Sequence, residues 1–149
     1  MPIKINISEK SGKTYKLETD TEVFFGKALK DKILGEEIIN ELEGYEFEIS
    51  GASDTAGFTY HEGVPGLGLK KVLLTYGKGM KKRPRRGGKK KISNPKPKGL
   101  RLRKSVRGRV LSQDISQINL KVIKEGKRPL AEVFPNQNKK IKQNEENKG

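Results

Sequence analysis

The feature that most constrains this chain is the run of residues 81–109, which holds fifteen Lys and Arg and no Asp or Glu. Like charges at this density repel one another unless an anionic partner neutralises them, and a nucleic-acid backbone is such a partner. Gly and Pro residues recur through the run, which argues against one continuous helix. The sequence therefore predicts a folded module that carries an internal basic extension.

The charge is divided sharply along the chain. Residues 1–62 have a net charge of −6, residues 63–109 have +18 and no acid, and residues 110–149 have +3. An acidic part joined to a purely basic part is typical of a protein that binds an anionic partner with one region, rather than of a protein with a uniformly charged surface. The overall net charge of +15 and the pI of about 10.0 point the same way, toward a nucleic-acid-binding protein.

The residue types in the basic run indicate contacts with the phosphates of RNA. Seven of its residues are Arg, which can form paired hydrogen bonds with a phosphate where Lys cannot. Its Gly residues let the backbone approach closely, and its Pro residues stiffen an extended path. Because the run contains no aromatic residue, we expect it to recognise shape and charge rather than to stack on bases. The predicted RNA-binding residues are Lys81, Lys82, Arg83, Arg85, Arg86, Lys89, Lys90, Lys91, Arg101, Arg103, Lys104, Arg107 and Arg109.

A solvated charge run or a nuclear localisation tag would also be basic. A tag is usually short and terminal, whereas this run lies between two strand-rich regions and includes Leu100, Leu102 and Val106. These features favour phosphate binding over either alternative.

Period-two alternation of apolar and polar residues predicts most of the strands. It predicts a β-hairpin over residues 2–18 and strands over residues 45–50 and 117–124. A continuous apolar run at residues 72–74 predicts a short, fully buried strand.

Two segments have mixed signals. Residues 23–33 place apolar side chains near helical spacing, which indicates either a short amphipathic helix or a strand followed by one helical turn. Residues 51–58 combine small residues with Ser and Asp, which predicts a loop at a tight corner.

These patterns predict a mostly β, α+β fold, and a modest core because only 32% of residues are hydrophobic. We expect a small β-barrel-like domain at residues 1–80, the basic extension at 81–109 and a returning strand region at 110–134. We expect a disordered tail at residues 135–149, because its Asn, Lys, Gln and Glu bury too little surface to order themselves.

The sequence offers little support for catalysis or metal binding. There is no Cys, and His61 is the single histidine. Ser53, Asp54 and Glu62 lie near it along the chain, but a glycine-rich corner accounts for the Ser and Asp without chemistry. We therefore predict no catalytic residue, no metal and no cofactor, and no small-molecule substrate.

Four short strings of sequence resemble a known family. They are GASD at 51–54 with GF at 57–58, RPRR at 83–86, RKSVRG at 103–108 and QINL at 117–120. They occur in the family's order, and the resemblance covers roughly residues 2–126. In these strings the chain resembles the archaeal and eukaryotic small-subunit ribosomal protein six of the "e" type.

The resemblance implies a structural component of the small ribosomal subunit that binds ribosomal RNA, contacts neighbouring ribosomal proteins and catalyses nothing. It also implies a β-barrel-like N-terminal region and a place on cytoplasmic ribosomes, away from membranes. The long basic C-terminal helix with phosphorylated serines of eukaryotic members is missing, which favours the archaeal type.

A free nucleic-acid-binding protein, such as a DNA-compacting factor or an RNA chaperone, is the alternative that the charge pattern leaves open. Such a protein would bind duplex DNA as well as RNA and would not co-sediment with ribosomal subunits.

Overall fold

The computed structural model describes residues 2–81 and 98–137. Most of the predicted tail, residues 138–149, lies outside the described residues. So do seven of the predicted RNA-binding residues, namely Lys82, Arg83, Arg85, Arg86, Lys89, Lys90 and Lys91. The predicted division of the chain into four regions stays a prediction.

Strands dominate the described residues, which confirms the mostly β fold class. The strands are β1 (Ile3–Ser8), β2 (Thr14–Thr19), β3 (Lys32–Leu34), β4 (Glu46–Asp54), β5 (Leu69–Leu74), β6 (Leu102–Arg107) and β7 (Ile115–Lys124). The helical elements are α1 (Gly35–Ile38), a single 3-10 turn (Asn40–Leu42) and α2 (Leu130–Val133).

The strands form two sheets within the described part of the chain. Five strands lie in the order β2-β1-β7-β4-β3, and β5 and β6 form a separate two-stranded sheet. All neighbouring pairs are antiparallel except β1 and β7, which run parallel. The last strand in sequence therefore lies at the centre of the larger sheet, where β1 and β4 flank it.

The main core follows from alternation along the central strands. Ile3, Ile5 and Ile7 of β1 all point to the buried face, and Ile118 and Leu120 of β7 lie beside them. Burying side chains of this size stabilises the fold by roughly 1.5–3 kcal/mol each. These strands and the β1–β2 hairpin confirm the predictions for residues 2–18, 45–50 and 117–124.

The larger sheet is open, so the predicted β-barrel-like architecture is wrong. A barrel closes only when its two edge strands pair with each other, and in the described residues β2 and β3 each have one neighbour. Gln137 covers the β2 edge instead. Its side-chain oxygen accepts the Lys16 N–H at 2.6 Å, and its side-chain nitrogen donates to the Lys16 carbonyl at 2.7 Å.

Residues 128–137, which we call the C-terminal strap, pack onto this sheet. The Tyr45 hydroxyl donates a hydrogen bond to the Arg128 carbonyl, and Leu130 is buried in the core. The Phe134 ring stacks on Tyr15 with 5.7 Å between ring centroids. The strap therefore links β4, the core and the β2 edge.

The helical spacing of residues 23–33 does not produce a helix. The backbone there bonds to a distant segment: Gly26 N–H donates to the Leu111 carbonyl, and Leu111 N–H donates to the Lys27 carbonyl. Leu29 N–H donates in the same way to the Arg109 carbonyl. These long-range bonds use the groups that a helix would need, so tertiary contacts override the local spacing. A short strand, β3, and one turn of helix, α1, follow.

Two further local expectations are wrong in part. The loop predicted at residues 51–58 begins only after Asp54, because β4 continues through register shifts beside β7 to that residue. The strand predicted at residues 72–74 exists within β5, but Leu73 is 56% exposed. A sheet of two strands covers one face with the small cluster of Val64, Leu74, Met80 and Val106 and leaves the other face to solvent.

Candidate nucleic-acid interface

Strands β5 and β6 form what we call the basic hairpin. In its register Leu74 lies opposite Leu102 and Leu69 lies opposite Arg107. The end of β5 and the start of β6 therefore lie side by side at one end of the two-stranded sheet. The segment that joins the two strands is anchored at both of its ends at that one place in the fold.

Six of the predicted RNA-binding residues are described, and they fall into two groups. Lys81, Arg101, Arg103 and Arg109 are exposed, and Lys104 is half-buried. None of these five side chains has a hydrogen-bond or ion-pair partner within residues 2–81 and 98–137. Five cations on or beside one sheet thus remain without a counter-charge among the described residues. The sixth residue, Arg107, has such a counter-charge.

Arg107 lies in an internal ion pair. Its Nε donates to Oδ2 of Asp54 at 2.6 Å, and its Nη1 lies 3.4 Å from Oδ2 of Asp114. The hydrogen bond to Asp54 raises the pKa of the Arg107 guanidinium. Asp54 is only 3% exposed, so Arg107 neutralises a carboxylate that would otherwise be buried alone. The RNA contact predicted for Arg107 stays a prediction, and it would need the part of the guanidinium that faces away from both carboxylates.

The same pair connects two of the strings that carry the family resemblance. Asp54 ends the GASD string, and Arg107 belongs to RKSVRG. Asp54 also holds the turn that follows it, because its Oδ1 accepts the Phe58 N–H at 2.8 Å. Backbone bonds extend the connection: Arg107 N–H donates to the Thr59 carbonyl, and His61 N–H donates to the Arg107 carbonyl. The basic hairpin is thereby fixed to the end of β4.

Gly108, the last residue of RKSVRG, permits a close approach of two backbones. A Cβ at this position would lie 1.9 Å from the Gly66 carbonyl oxygen, far inside contact distance. Gly108 N–H donates to the Gly68 carbonyl at 3.1 Å, and Val110 N–H donates to Gly66. Any side chain at Gly108 would push apart the loop and the strand that carry these bonds.

The chain matches known proteins along most of its length. A family model described as Ribosomal protein S6e matches residues 3–135. The chain belongs to the ribosomal protein S6e family. Curated relatives named small ribosomal subunit protein eS6 come from Methanococcus maripaludis, Archaeoglobus fulgidus and Methanocaldococcus jannaschii. The Methanococcus maripaludis protein is 40% identical over 131 residues, which are 87% of this chain and 94% of that protein. The Archaeoglobus fulgidus protein is 38% identical over 138 residues, 90% of this chain and 96% of that protein. The Methanocaldococcus jannaschii protein is 35% identical over 125 residues, 84% of each.

Membership of the S6e family confirms the resemblance found in the sequence. The chain is a ribosomal protein with a structural role, and it is not an enzyme. The relatives named above are archaeal, which agrees with the predicted archaeal type. None of the helices within residues 2–81 and 98–137 is long and apolar enough to cross a membrane.

The residues that could have suggested catalysis have other partners in this S6e fold. His61 Nδ1 accepts the Gly63 N–H at 3.1 Å. Glu62 Oε2 lies 3.2 Å from Lys30 Nζ and 3.7 Å from Lys78 Nζ, and its bond to Lys30 lowers the pKa of Glu62. With Asp54 bound to Arg107, these side chains do not converge on a common point. The described residues also contain no cluster of His, Asp and Glu suited to a metal ion.

The acidic part of the chain lies on other elements. Glu37 pairs with Lys27 at 3.0 Å and Glu43 pairs with Lys127 at 2.6 Å. The bond to Glu43 raises the pKa of Lys127. A hollow of about 450 Å³ has Asp20, Glu22 and Asp114 in its lining, so its potential opposes phosphate. Glu37 and Glu43 thus pair with lysines that lie outside β5 and β6.

Sequence reasoning missed two parts of this surface. Lys70 and Lys71 lie on β5 directly beside β6, opposite Val106 and Ser105, although the predicted RNA-binding residues began at Lys81. Their membership of the acid-free block was the available signal. Phe58, which lies far from the basic run in sequence, shares a hollow with Lys104 and Ser105. The pairing of β5 with β6 places Lys70 and Lys71 in this surface, and the backbone bonds of Arg107 to Thr59 and His61 bring Phe58 close to Lys104.

Proposed function

We propose that the chain is a structural component of the small ribosomal subunit and that its basic residues bind ribosomal RNA. The observation that carries the proposal is the difference between two sets of cations. Arg107 is neutralised inside the protein, whereas Arg101, Arg103 and Lys104 have no anion among the described residues. Unpaired cations on a fixed sheet suit a phosphate backbone.

The contacts are assigned to the residues predicted from the sequence at 81–109, together with Lys71 of β5. Arg101 is exposed directly before β6, Arg103 is exposed near the start of β6, and Lys71 lies on the neighbouring strand. Contacts of this kind fix the position and orientation of RNA without reading its sequence. The basic residues between 82 and 97, which lie outside the described part, are proposed to add further phosphate contacts.

The acidic part of the chain is proposed to face away from RNA, toward solvent or a basic neighbouring ribosomal protein. Its carboxylates near α1 and β4 already use internal lysines, as in the Glu37–Lys27 and Glu43–Lys127 pairs. The glutamates concerned are Glu36, Glu37, Glu41, Glu43, Glu46 and Glu48. Glutamates packed against RNA phosphate without a bridging cation would contradict this orientation.

A sucrose gradient tests the proposal. A tagged chain expressed in an archaeal host should co-sediment with small subunits after a salt wash that removes loosely bound proteins. The double variant Arg101→Ala/Arg103→Ala should shift partly to the top of the gradient. Lys10→Ala/Lys13→Ala removes the same charge from the β1–β2 turn and should sediment like the unchanged chain.

The free nucleic-acid-binding alternative makes the opposite prediction. Such a protein would stay at the top of the salt-washed gradient and would bind duplex DNA as tightly as ribosomal RNA. That pair of results would overturn the ribosomal-RNA proposal and leave a general polyanion binder.

A further inference from the structure

An open hollow of about 350 Å³ lies where the end of β4 meets the basic hairpin. Its lining residues are Gly57, Phe58, Thr59, Gly79, Lys104 and Ser105. Binding sites for small ligands usually begin at about 300 Å³, so the hollow has room for one nucleotide. It differs from the acidic hollow beside Asp114 because its charged lining residue is a lysine.

Phe58 supplies an aromatic surface without a ring partner. The described aromatic rings include two stacked pairs, Tyr15 with Phe134 and Tyr45 with Phe47. Phe58 contacts no other ring among the described residues, and it is 37% exposed. An apolar ring exposed in a strongly basic region is what stacking on an unpaired base requires.

Hydrogen bonds fix the backbone that carries this ring. Phe58 N–H donates to Asp54 Oδ1 at 2.8 Å, and the Phe58 carbonyl accepts the Asp54 N–H at 3.0 Å. The Arg107 guanidinium holds the other carboxylate oxygen of Asp54 at 2.6 Å. Little backbone ordering at Phe58 is therefore needed on binding, because these bonds have already fixed that part of the chain.

The polar side chains that line the hollow are free to bond a ligand. Lys104 Nζ and the hydroxyls of Thr59 and Ser105 have no hydrogen-bond partner within the described chain. One cation, two hydroxyls and one aromatic face match the parts of a nucleotide: a phosphate, a ribose or base edge, and a base.

We propose that this hollow binds one unpaired nucleotide of RNA, with its base stacked on Phe58 and its phosphate beside Lys104. The inference rests on the proposed RNA-binding function and adds a local site to it. It assigns to β4 and the basic hairpin a recognition of single-stranded RNA that the aromatic-free run of residues 81–109 does not itself provide. The remainder of the basic surface contacts phosphates whether or not the RNA is paired.

The test compares two RNA probes with equal numbers of phosphates. One is a hairpin whose loop contains unpaired adenosines and a single 2-aminopurine, and the other is a blunt duplex. Binding of the unchanged chain should quench the 2-aminopurine fluorescence by stacking. Phe58→Leu should abolish the quenching and weaken loop binding by about tenfold, while duplex binding stays the same. Phe58→Trp should retain both quenching and affinity.

Leu73→Ala is the matched control, because Leu73 is another exposed large side chain of the same region and lies outside the hollow. It should leave both probes unaffected. Equal loop binding by Phe58→Leu and the unchanged chain would overturn the inference and leave RNA binding intact. Equal losses on loop and duplex would show a merely structural role and would also overturn it. If the unchanged chain binds neither probe, the proposed function and the inference both fail.

A crosslinking measurement covers the case in which Phe58→Leu does not fold. The unchanged chain is irradiated with the same hairpin carrying 5-iodouridine in its loop, and the crosslinked peptide is sequenced. A crosslink at Phe58 supports the site, and crosslinks confined to peptides that lack Phe58 refute it.

Discussion

At the scale of single residues, the decisive contact is the one between Arg107 and Asp54. It joins positions fifty-three residues apart and fixes the end of β4 to β6. A charge that composition assigns to RNA therefore also stabilises the fold. The side chain of Asp54 is 1% exposed and that of Arg107 is 18% exposed, so solvent screens this pair less than a surface pair.

Arg107→Ala should lower the free energy of unfolding by about 3 kcal/mol, because it leaves the Asp54 carboxylate buried without its cation. Urea unfolding at neutral pH measures the change. Arg101→Ala is the control, since Arg101 is exposed and has no partner among the described residues, and it should change stability by less than about 0.5 kcal/mol. A change as small for Arg107→Ala would mean that the ion pair does not hold the hairpin in place.

At the scale of elements, the C-terminal strap stabilises two strands of the larger sheet. Gln137 bonds the backbone groups of Lys16 on the edge strand β2, and Tyr45, directly before β4, donates to the strap. An edge strand with free backbone groups invites pairing with another chain. The strap thus combines stabilisation with protection of an edge.

Gln137→Ala removes both hydrogen bonds to Lys16, so it should expose the Lys16 amide and destabilise the chain by about 1–2 kcal/mol, because each hydrogen bond contributes about 1 kcal/mol net. Hydrogen exchange measures the first effect directly, as faster exchange at Lys16 with little change at Ile5 or Ile7 in the centre of the sheet. Gln117→Ala, on the exposed surface of β7, is a matched control that leaves the strap intact. Unchanged protection of the Lys16 amide in Gln137→Ala would show that Gln137 does not close the edge.

Tyr45 gives the strap a dependence on pH. Burial is the main cause that raises the pKa of the Tyr45 hydroxyl above its ordinary value of 10.0, and the nearby Glu125 adds to it. Because the folded chain holds this proton more tightly than the unfolded chain, the stabilisation is complete below about pH 10 and is lost as pH rises through the folded pKa.

Tyr45→Phe should therefore be less stable than the unchanged chain by about 1 kcal/mol at neutral pH. Above about pH 10 the two unfolding free energies should converge, since only the unchanged chain has the tyrosine proton to lose. Urea unfolding over this range measures both curves. Curves that remain parallel into the alkaline range would contradict a role for the protonated hydroxyl.

At the scale of the whole molecule, the sequence predicts those elements whose signal is local. The alternation of Ile3, Ile5 and Ile7 is visible in the sequence because a half-buried strand needs an apolar side chain at every second position. Strand β6 is hidden in the sequence, because its charged residues belong to the basic run of residues 81–109. The choice between the two alternatives for residues 23–33, a helix or a strand followed by one helical turn, could not be made from the sequence, since it depends on backbone bonds to residues 109–111.

The candidate interface likewise has features that the sequence predicts and features that only the structure shows. Its charge is plain in the composition of residues 63–109, and family membership supports the structural, non-enzymatic role. The internal use of Arg107 and the meeting of Phe58 with Lys104 depend on contacts between residues about fifty positions apart. No period or short motif encodes such contacts.

The dependence of RNA affinity on salt tests the central claim most directly. The association constant for a small-subunit RNA fragment is measured over a range of potassium chloride concentrations, for the unchanged chain, Arg101→Ala/Arg103→Ala and the control Lys10→Ala/Lys13→Ala. We expect a steep loss of affinity with salt, and a slope that is shallower by about 1.4–1.8 in the arginine variant, because each lost phosphate contact removes about 0.7–0.9. The control should keep the original slope. An affinity that does not change with salt, or one slope shared by all three proteins, would contradict phosphate binding by the basic hairpin.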